Sequence, residues 1–312
     1  MRILVVGELN PDLVLKDYSS FPELGKEVLA GDLVLTLGSA SAICAAGLAR
    51  LGDAVSFAGK VGADAWGEYC IRLLRDAGVD TTYIIRDSNT KTGLTVSLTC
   101  GRDRALVTYL GAIATLSEGD IGPAILDGCD HLHVSSYYLQ KSLRSGCREL
   151  FRRAHDRRMT TSLDPGFDPA ERWERDIYET LEEVDVFLPN EVELAAISEH
   201  ADVAAALHRL DNGRTLTVAK LGAKGCAALV KGRLVETPAY PVCPVDTTGA
   251  GDTFNAGFLH CWVRRRPAGD AMRFAAVCGA LSTLGVGGTA AQPGAAEVEK
   301  HLEGSAREDL PR

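Results

Sequence analysis

Apolar runs of four to eight residues alternate with segments of helical period along most of the chain. This is the pattern of βα units that build a largely parallel sheet. The expected strands are ILVVG from Ile3, AVSFAG from Ala54, HLHVSS from His131, TTSLD from Thr160, DVFLPN from Asp185 and LTVAKLG from Leu216. The matching helices run from Ser41 to Leu51, Ala65 to Ala77, Lys141 to Arg158, Glu191 to Ser198, Gly251 to Arg264 and Ala268 to Leu284. Two regions break the rhythm because they lack a helix: Leu13 to Leu37, and Thr92 to Leu110, where two strands flank a turn at Gly101-Arg102-Asp103. Each leaves the α/β core and returns to it, so both are expected in one small sheet lying apart, a lid over the strand ends. The expectation is one α/β domain over residues 1–303 with lid strands at about 13–37 and 92–110, then a flexible tail from Gly304, GSAREDLPR.

Composition narrows the function. The 312 residues carry 46% apolar side chains and a formal charge of −9, which leaves no basic face to neutralise a nucleic-acid backbone or an anionic membrane. The run Arg264-Arg265-Arg266 reads as the solvated end of a helix, where cations suit the dipole. No apolar run is long enough to span a bilayer, and MRILVVG meets Glu8 too early for a secretory signal. A cytoplasmic protein starting at or near Met1 is expected. The nine cysteines contain no CxxC pair, so neither a disulfide framework nor a zinc site is indicated.

The most informative stretch is PVCPVDTTGAGDTFNAGFLH, from Pro241. Glycines at a helix start let a ligand approach the main chain, and Gly249, Ala250 and Gly251 would turn unpaired N–H groups toward one point, with the helix dipole adding positive potential. Asp252 beside them supplies a carboxylate able to accept a proton from an attacking hydroxyl while the amides hold charge growing on a transferring phosphoryl. The same residues also fit a helix capped by Thr247 or Thr248 with a tight turn before it. Rival nucleotide signatures are absent. Six residues separate Gly52 from Gly59-Lys60, and the strand from Ile3 runs into ELNPD rather than G-x-G-x-x-G.

The stretch resembles the C-terminal signature of the ribokinase-like (PfkB) carbohydrate kinases, D-T-x-G-A-G-D-x-F, at Asp246, Thr247, Gly249, Ala250, Gly251, Asp252 and Phe254. The resemblance implies a three-layer α/β kinase with a β-sheet lid, in which Asp252 is the general base and the Gly249–Gly251 amides form the anion hole. Further matches follow in the family's order from Val5 to about Pro293. GELNPDLV is similar to the motif that places Asn10 and Asp12 at the sugar, although Asp12 also fits a turn after Pro11. KVGADAWGEYCIRLLRDAGVDT, from Lys60, resembles the family's G-x-D-x-x-G followed by L-x-x-x-G-V-D. LPNEVEL carries Asn-x-x-Glu at Asn190 and Glu193, implied to lie near magnesium, held through water, and the triphosphate; a capping box reads equally from the same spacing. AKLGAKGC implies Lys220, Gly222 and Gly225 near the nucleotide, and a hairpin turn fits that glycine pair too. In SLDPGFDPAERW, Gly166 stands where the family carries asparagine, and Asp164 is expected to face the crevice.

The acceptor end departs from the family. LGSASAICAAGLARLG, from Leu37, resembles G-G-x-x-x-N-x-A-x-x-x-A-x-L-G, so Gly38, Ser39 and Ala40 are expected at the substrate. Yet Ser39 replaces the second glycine, and Ile43 replaces an asparagine that an isoleucine cannot mimic as a hydrogen-bonding group. His131 and His133 lack a third ligand for a metal site. Tyr137 and Tyr138 fit either the pocket wall or the core. The resemblance further implies ATP and Mg2+, a K+ site at Asp246 and Thr248 with Gly285 to Gly288, and a homodimer clasped through the lids. The reading is an ATP-dependent kinase acting on a primary hydroxyl of a small sugar or sugar acid. A nucleoside kinase of the same family is the alternative, favoured if the pocket where Ile43 sits is apolar and flat enough for a base, and a non-catalytic sugar or nucleotide sensor on this fold is a second.

Overall fold

A computed structural model describes residues 1–18, 20–100 and 103–308 of the chain. A strand covered by helices on both faces needs apolar residues on both, and β1 (Arg2–Val6) meets this with four consecutive residues out of water. From β1 the chain makes β2 (Pro11–Lys16) and β3 (Asp32–Leu37), then α1 (Ala40–Arg50), β4 (Ala54–Gly62), α2 (Ala65–Asp76) and β5 (Asp80–Asp87). β6 (Leu94–Cys100) and β7 (Asp103–Tyr109) follow. The middle third holds α3 (Pro123–Leu126), β8 (His131–Val134), α4 (Lys141–Arg144), α5 (Cys147–His155), β9 (Thr160–Leu163), α6 (Asp176–Leu181) and β10 (Val186–Phe187). The remainder is α7 (Glu191–Ser198), α8 (Val203–Leu210), β11 (Leu216–Lys220), β12 (Cys226–Val230), β13 (Arg233–Thr237), α9 (Ala250–Trp262), α10 (Ala268–Ser282) and α11 (Ala295–Glu308).

Nine strands form the large sheet in the order β13-β12-β11-β10-β9-β8-β1-β4-β5. Neighbours are parallel except β11 with β12 and β12 with β13. From β1 the chain moves outward to β4 and β5, then returns to place β8 on the other side. The switch point therefore lies between β1 and β8, where open α/β sheets leave a crevice at the carboxyl ends of their strands. Alternate residues feed two cores: Ile3 and Val5 join Leu48, Phe258 and Phe274 on one face, while Leu4 and Val6 join Phe151 and Phe187 on the other.

The two regions without helices form the expected separate sheet, ordered β3-β2-β6-β7, with β2 and β6 parallel and the other pairs antiparallel. Its two faces differ in chemistry. One row across all four strands is Leu35, Leu13, Val96 and Val107, and the next, on the opposite face, is Thr36, Asp12, Thr95 and Thr108. The expected turn at Gly101-Arg102 lies outside the described residues.

Several elements differ from the sequence expectation. β5 is an edge strand, DTTYIIRD, whose apolar run is only the three residues Tyr83-Ile84-Ile85 between polar ends, too short to stand out as a strand. β12 and β13 form an antiparallel hairpin past β11, where βα alternation stops. The expected helix from Lys141 to Arg158 is broken between α4 and α5, where a Cβ on Gly146 would stand 2.4 Å from Glu118 Cβ. α11 continues to Glu308, so Gly304 and the four residues after it are helical rather than tail.

Candidate active site

The start of α9 is built around a glycine. Gly249, the N-cap, sits at φ 73 and ψ 4, and a Cβ there would stand 2.7 Å from Gly288 Cα and 3.0 Å from Ile43 Cγ2. The Ala250 N–H bonds the Thr247 carbonyl at 3.3 Å, a long contact that narrows the expected anion hole on that side. Gly249, Ala250, Gly251 and Asp252 all line a cleft of about 790 Å³, together with Ala40, Asp164, Asn190, Glu193, Lys220, Gly222, Gly225 and Thr247. The loop from Ala239 to Pro244 forms a further wall, with Tyr240, Pro241 and Val242. Sequence reasoning overlooked that wall.

The cleft floor holds a buried ion pair. Lys220, ending β11, donates from Nζ to Asp164 Oδ2 at 2.6 Å and to Asn255 Oδ1 at 3.2 Å, and Asn255 Nδ2 donates to the same Asp164 oxygen at 2.5 Å. Burial works against ionising Asp164, but the Lys220 ammonium and the donors of Lys220, Asn255 and Gly166 hold its carboxyl below the usual range. Burial likewise opposes the Lys220 charge, and the carboxylates of Asp164, Glu193 and Asp252 raise its pKa instead. Asn255, one turn into α9, was not singled out from sequence; it is a buried polar residue, three positions after Asp252 on the same helix face.

Asn190 and Glu193 form a full capping box at the start of α7. The Asn190 N–H donates to Glu193 Oε2 at 2.8 Å and the Glu193 N–H to Asn190 Oδ1 at 2.9 Å. The helix-cap reading of this pair is therefore realised, and both residues line the cleft as well. Burial pushes the Glu193 carboxyl up to about 7, and the nearby charge of Asp164 adds to it. Among the described residues no group of three or more His, Cys, Asp or Glu side chains is arranged to hold a metal directly. An oxygen ligand reaching a cation through water suits magnesium.

At the lid, Asp12 packs so closely on Gly38 that a Cβ there would stand 2.0 Å from Asp12 Oδ1. Asn10 Nδ2 lies 3.3 Å from Asp12 Oδ1 and 3.3 Å from Thr95 Oγ1. Asn10, Asp12, Gly38 and Ser39 thus form a second group, beside rather than within the walls of the main cleft, joined to it through Ala40. Ser39 adopts φ 72 and ψ 121, a backbone that favours glycine. Its hydroxyl donates to the Glu8 carbonyl and accepts from the Ala42 N–H at 3.2 Å, capping α1. Glu8 itself was overlooked. Its carboxylate, 3% exposed, accepts from the Ser41 N–H at 3.1 Å, the Ser136 hydroxyl at 2.8 Å and the Ser41 hydroxyl, stapling the ends of β1, β8 and the α1 start.

Ile43 does not open an apolar pocket. It is 3% exposed and packs between the Gly249 and Gly288 backbones, while its carbonyl accepts from Gln292 Nε2 at 2.9 Å. Asp246 accepts the Thr248 N–H at 2.9 Å and hydroxyl at 2.7 Å on one oxygen and the Gly287 N–H at 2.9 Å on the other. It therefore ties the loop before α9 to the glycines at 285–288. Both oxygens are engaged, so a K+ ion held there would draw on main-chain carbonyls as well.

His131 and His133 are fully buried links of a chain that runs Thr160, His131, Ser162, His133, Ser135, every contact at 2.7 Å. Tyr137 is a core residue, its hydroxyl bonded to Asp176 at 3.0 Å and Thr180 at 3.1 Å, and Tyr138 is buried beside it. No helix of the described residues is long and apolar enough to cross a membrane.

Known proteins resemble this chain along nearly its whole length. Residues 1–294 match the sequence profile described as pfkB family carbohydrate kinase. A ribokinase of Bacillus subtilis is 30% identical over 304 residues, covering 96% of this chain and 99% of its own. The structure of a fructokinase with bound ATP from Xylella fastidiosa superposes with a TM-score of 0.84 at 25% identity, covering 98% of this chain and 99% of its own. A fructokinase double mutant from Vibrio cholerae, in a fructose-, ADP- and potassium-bound form, gives a TM-score of 0.79 at 27% identity over 96% of this chain and 98% of its own.

Proposed function

The chain belongs to the pfkB family of carbohydrate kinases, and we propose that it transfers the γ-phosphoryl of ATP to a hydroxyl, primary by preference, of a small sugar. The observation that carries this reading is the convergence, on one cleft, of the α9 start and a carboxylate beside it, Asp252. Asp252 takes the proton of the incoming hydroxyl, the oxygen attacks the phosphoryl in line, and ADP leaves. The Gly249–Gly251 backbone offers N–H groups and the positive end of the helix dipole to the charge that develops. The Lys220 ammonium, 2.6 Å from Asp164, supplies a cation at the cleft floor. Magnesium fits the oxygen donors of Asn190 and Glu193 through water, and when bound it neutralises phosphate charge. The Tyr240–Val242 wall offers an apolar surface to a nucleotide base.

Asn10 and Asp12 bind hydroxyls of the acceptor, and the lid excludes water that would otherwise be phosphorylated. Since Ile43 is closed off by glycine backbones, the ground for a nucleoside acceptor is weaker than that for a sugar. The sheet's outer face exposes Leu33, Val107 and Tyr109 at 56%, 62% and 55%, and a second copy of the same lid is its natural cover. Release of ADP across a panel of sugars, sugar acids and nucleosides tests the reading; no release with any of them refutes it.

A further inference from the structure

One polar row crosses the small sheet. Thr36 on β3 pairs with Asp12 on β2, Asp12 with Thr95 on β6, and Thr95 with Thr108 on β7, so the four side chains share a face. The row has a direction. At its β3 end, a Cβ on Gly287 would stand 3.0 Å from Thr36 Oγ1, and the next residue, Gly288, lies against Gly249 at the start of α9. Thr108 is therefore the end farthest from the phosphoryl-transfer site.

Hydrogen-bond bookkeeping sets what each end offers. Asn10 Nδ2 donates to Thr95 Oγ1 at 3.3 Å, and the hydroxyls of Thr95 and Thr108 are 3.1 Å apart. A hydroxyl carries one proton. Either hydroxyl can be the donor between Thr95 and Thr108, and in both arrangements the Thr108 oxygen keeps a lone pair or its proton for a partner away from the sheet. Asp12, near the other end, offers acceptor oxygens. Neighbouring strands lie about 4.8 Å apart, so Asp12 and Thr108, two strands apart, are separated by roughly 10 Å.

We propose that Thr108 determines specificity by hydrogen-bonding a hydroxyl at the far end of the acceptor, while Asp12 takes hydroxyl protons nearer the reacting group. The inference rests on the kinase reading of the cleft and adds the length of the substrate. An acceptor must present one oxygen to Asp252, another to Asp12 and a third to Thr108. A five- or six-carbon sugar supplies three oxygens so spread, and a three-carbon alcohol does not.

The test uses calorimetric titration of D-ribose, D-fructose and glycerol into the whole chain and its Thr108→Val and Thr108→Ser variants, with ADP release followed in parallel. Thr108→Val keeps the shape and removes the hydroxyl. It is expected to weaken binding of the better-bound sugar about three- to tenfold, with Thr108→Ser restoring affinity and glycerol unaffected. Equal sugar affinity in wild type and Thr108→Val, or an equal loss in Thr108→Ser, overturns the proposal. So does failure of the wild type to bind either sugar. Sugar binding that depends on the Thr108 hydroxyl, without ADP release from any acceptor, refutes the kinase reading and leaves this inference standing.

Discussion

The Lys220 ammonium donates to Asp164 at 2.6 Å beneath the start of α9, with 12% and 5% of the two side chains exposed. Strands β9 and β11 are separated in the sheet by β10, and the pair bridges across it at their carboxyl ends. Its position gives it two roles that mutation can separate. Lys220→Met should lower kcat at least about 100-fold, the scale of removing one preorganised electrostatic group. It should also cost about 3 kcal/mol of stability by leaving the Asp164 charge buried and unpaired. Adding Asp164→Asn should recover much of the stability and none of the turnover, as read by urea unfolding and ADP release. Full turnover in Lys220→Met would remove the lysine from the chemistry.

The buried histidine chain makes stability depend on acid. Burial holds His131 well below the ordinary imidazole pKa, and lowers His133 to about 4. Above pH 6.5 both folded and unfolded histidines are neutral, so neither contributes. As pH falls below that value the unfolded chain binds protons that the folded one refuses. Stability is lost by up to about 1.4 kcal/mol per pH unit for each histidine until the folded pKa is reached. Urea unfolding at pH 7, 6 and 5 should show this decline, and a flat profile would mean that the imidazoles gain protons without unfolding.

The lid's outer face predicts the assembly state. Leu33 and Val107 stand on the apolar side of the sheet, opposite the row that carries Asp12. Light scattering should find a dimer in the wild type and a monomer in Leu33→Lys combined with Val107→Lys. A wild type that stays monomeric at high concentration would leave that face to some other cover.

Legibility in the sequence followed the range of the interactions. The α9 start was readable because its chemistry is local: Gly249, Gly251 and Asp252 are near neighbours, and the αL backbone at Gly249 is a demand that glycine answers by itself. The lid was readable as two helix-free excursions. Asn255, Glu8 and the Thr36–Asp12–Thr95–Thr108 row were not, because each depends on strand order and register between segments far apart in the chain. The Glu8–Ser136 contact spans 128 positions, and no local spacing encodes it. The surroundings of Ile43 were left open by the sequence for the same reason. Its identity was plain, but only the fold brings it between Gly249 and Gly288 instead of against a ligand.

The central claim is that Asp252 takes the acceptor's proton beside amides that cradle the transferring phosphoryl. The direct measurement is the rate of ADP release by Asp252→Asn at saturating ATP and with whichever sugar the wild type turns over best. The account predicts a kcat lower by about 10²- to 10⁴-fold with nucleotide affinity changed only a few-fold. Wild-type turnover in that variant would contradict it.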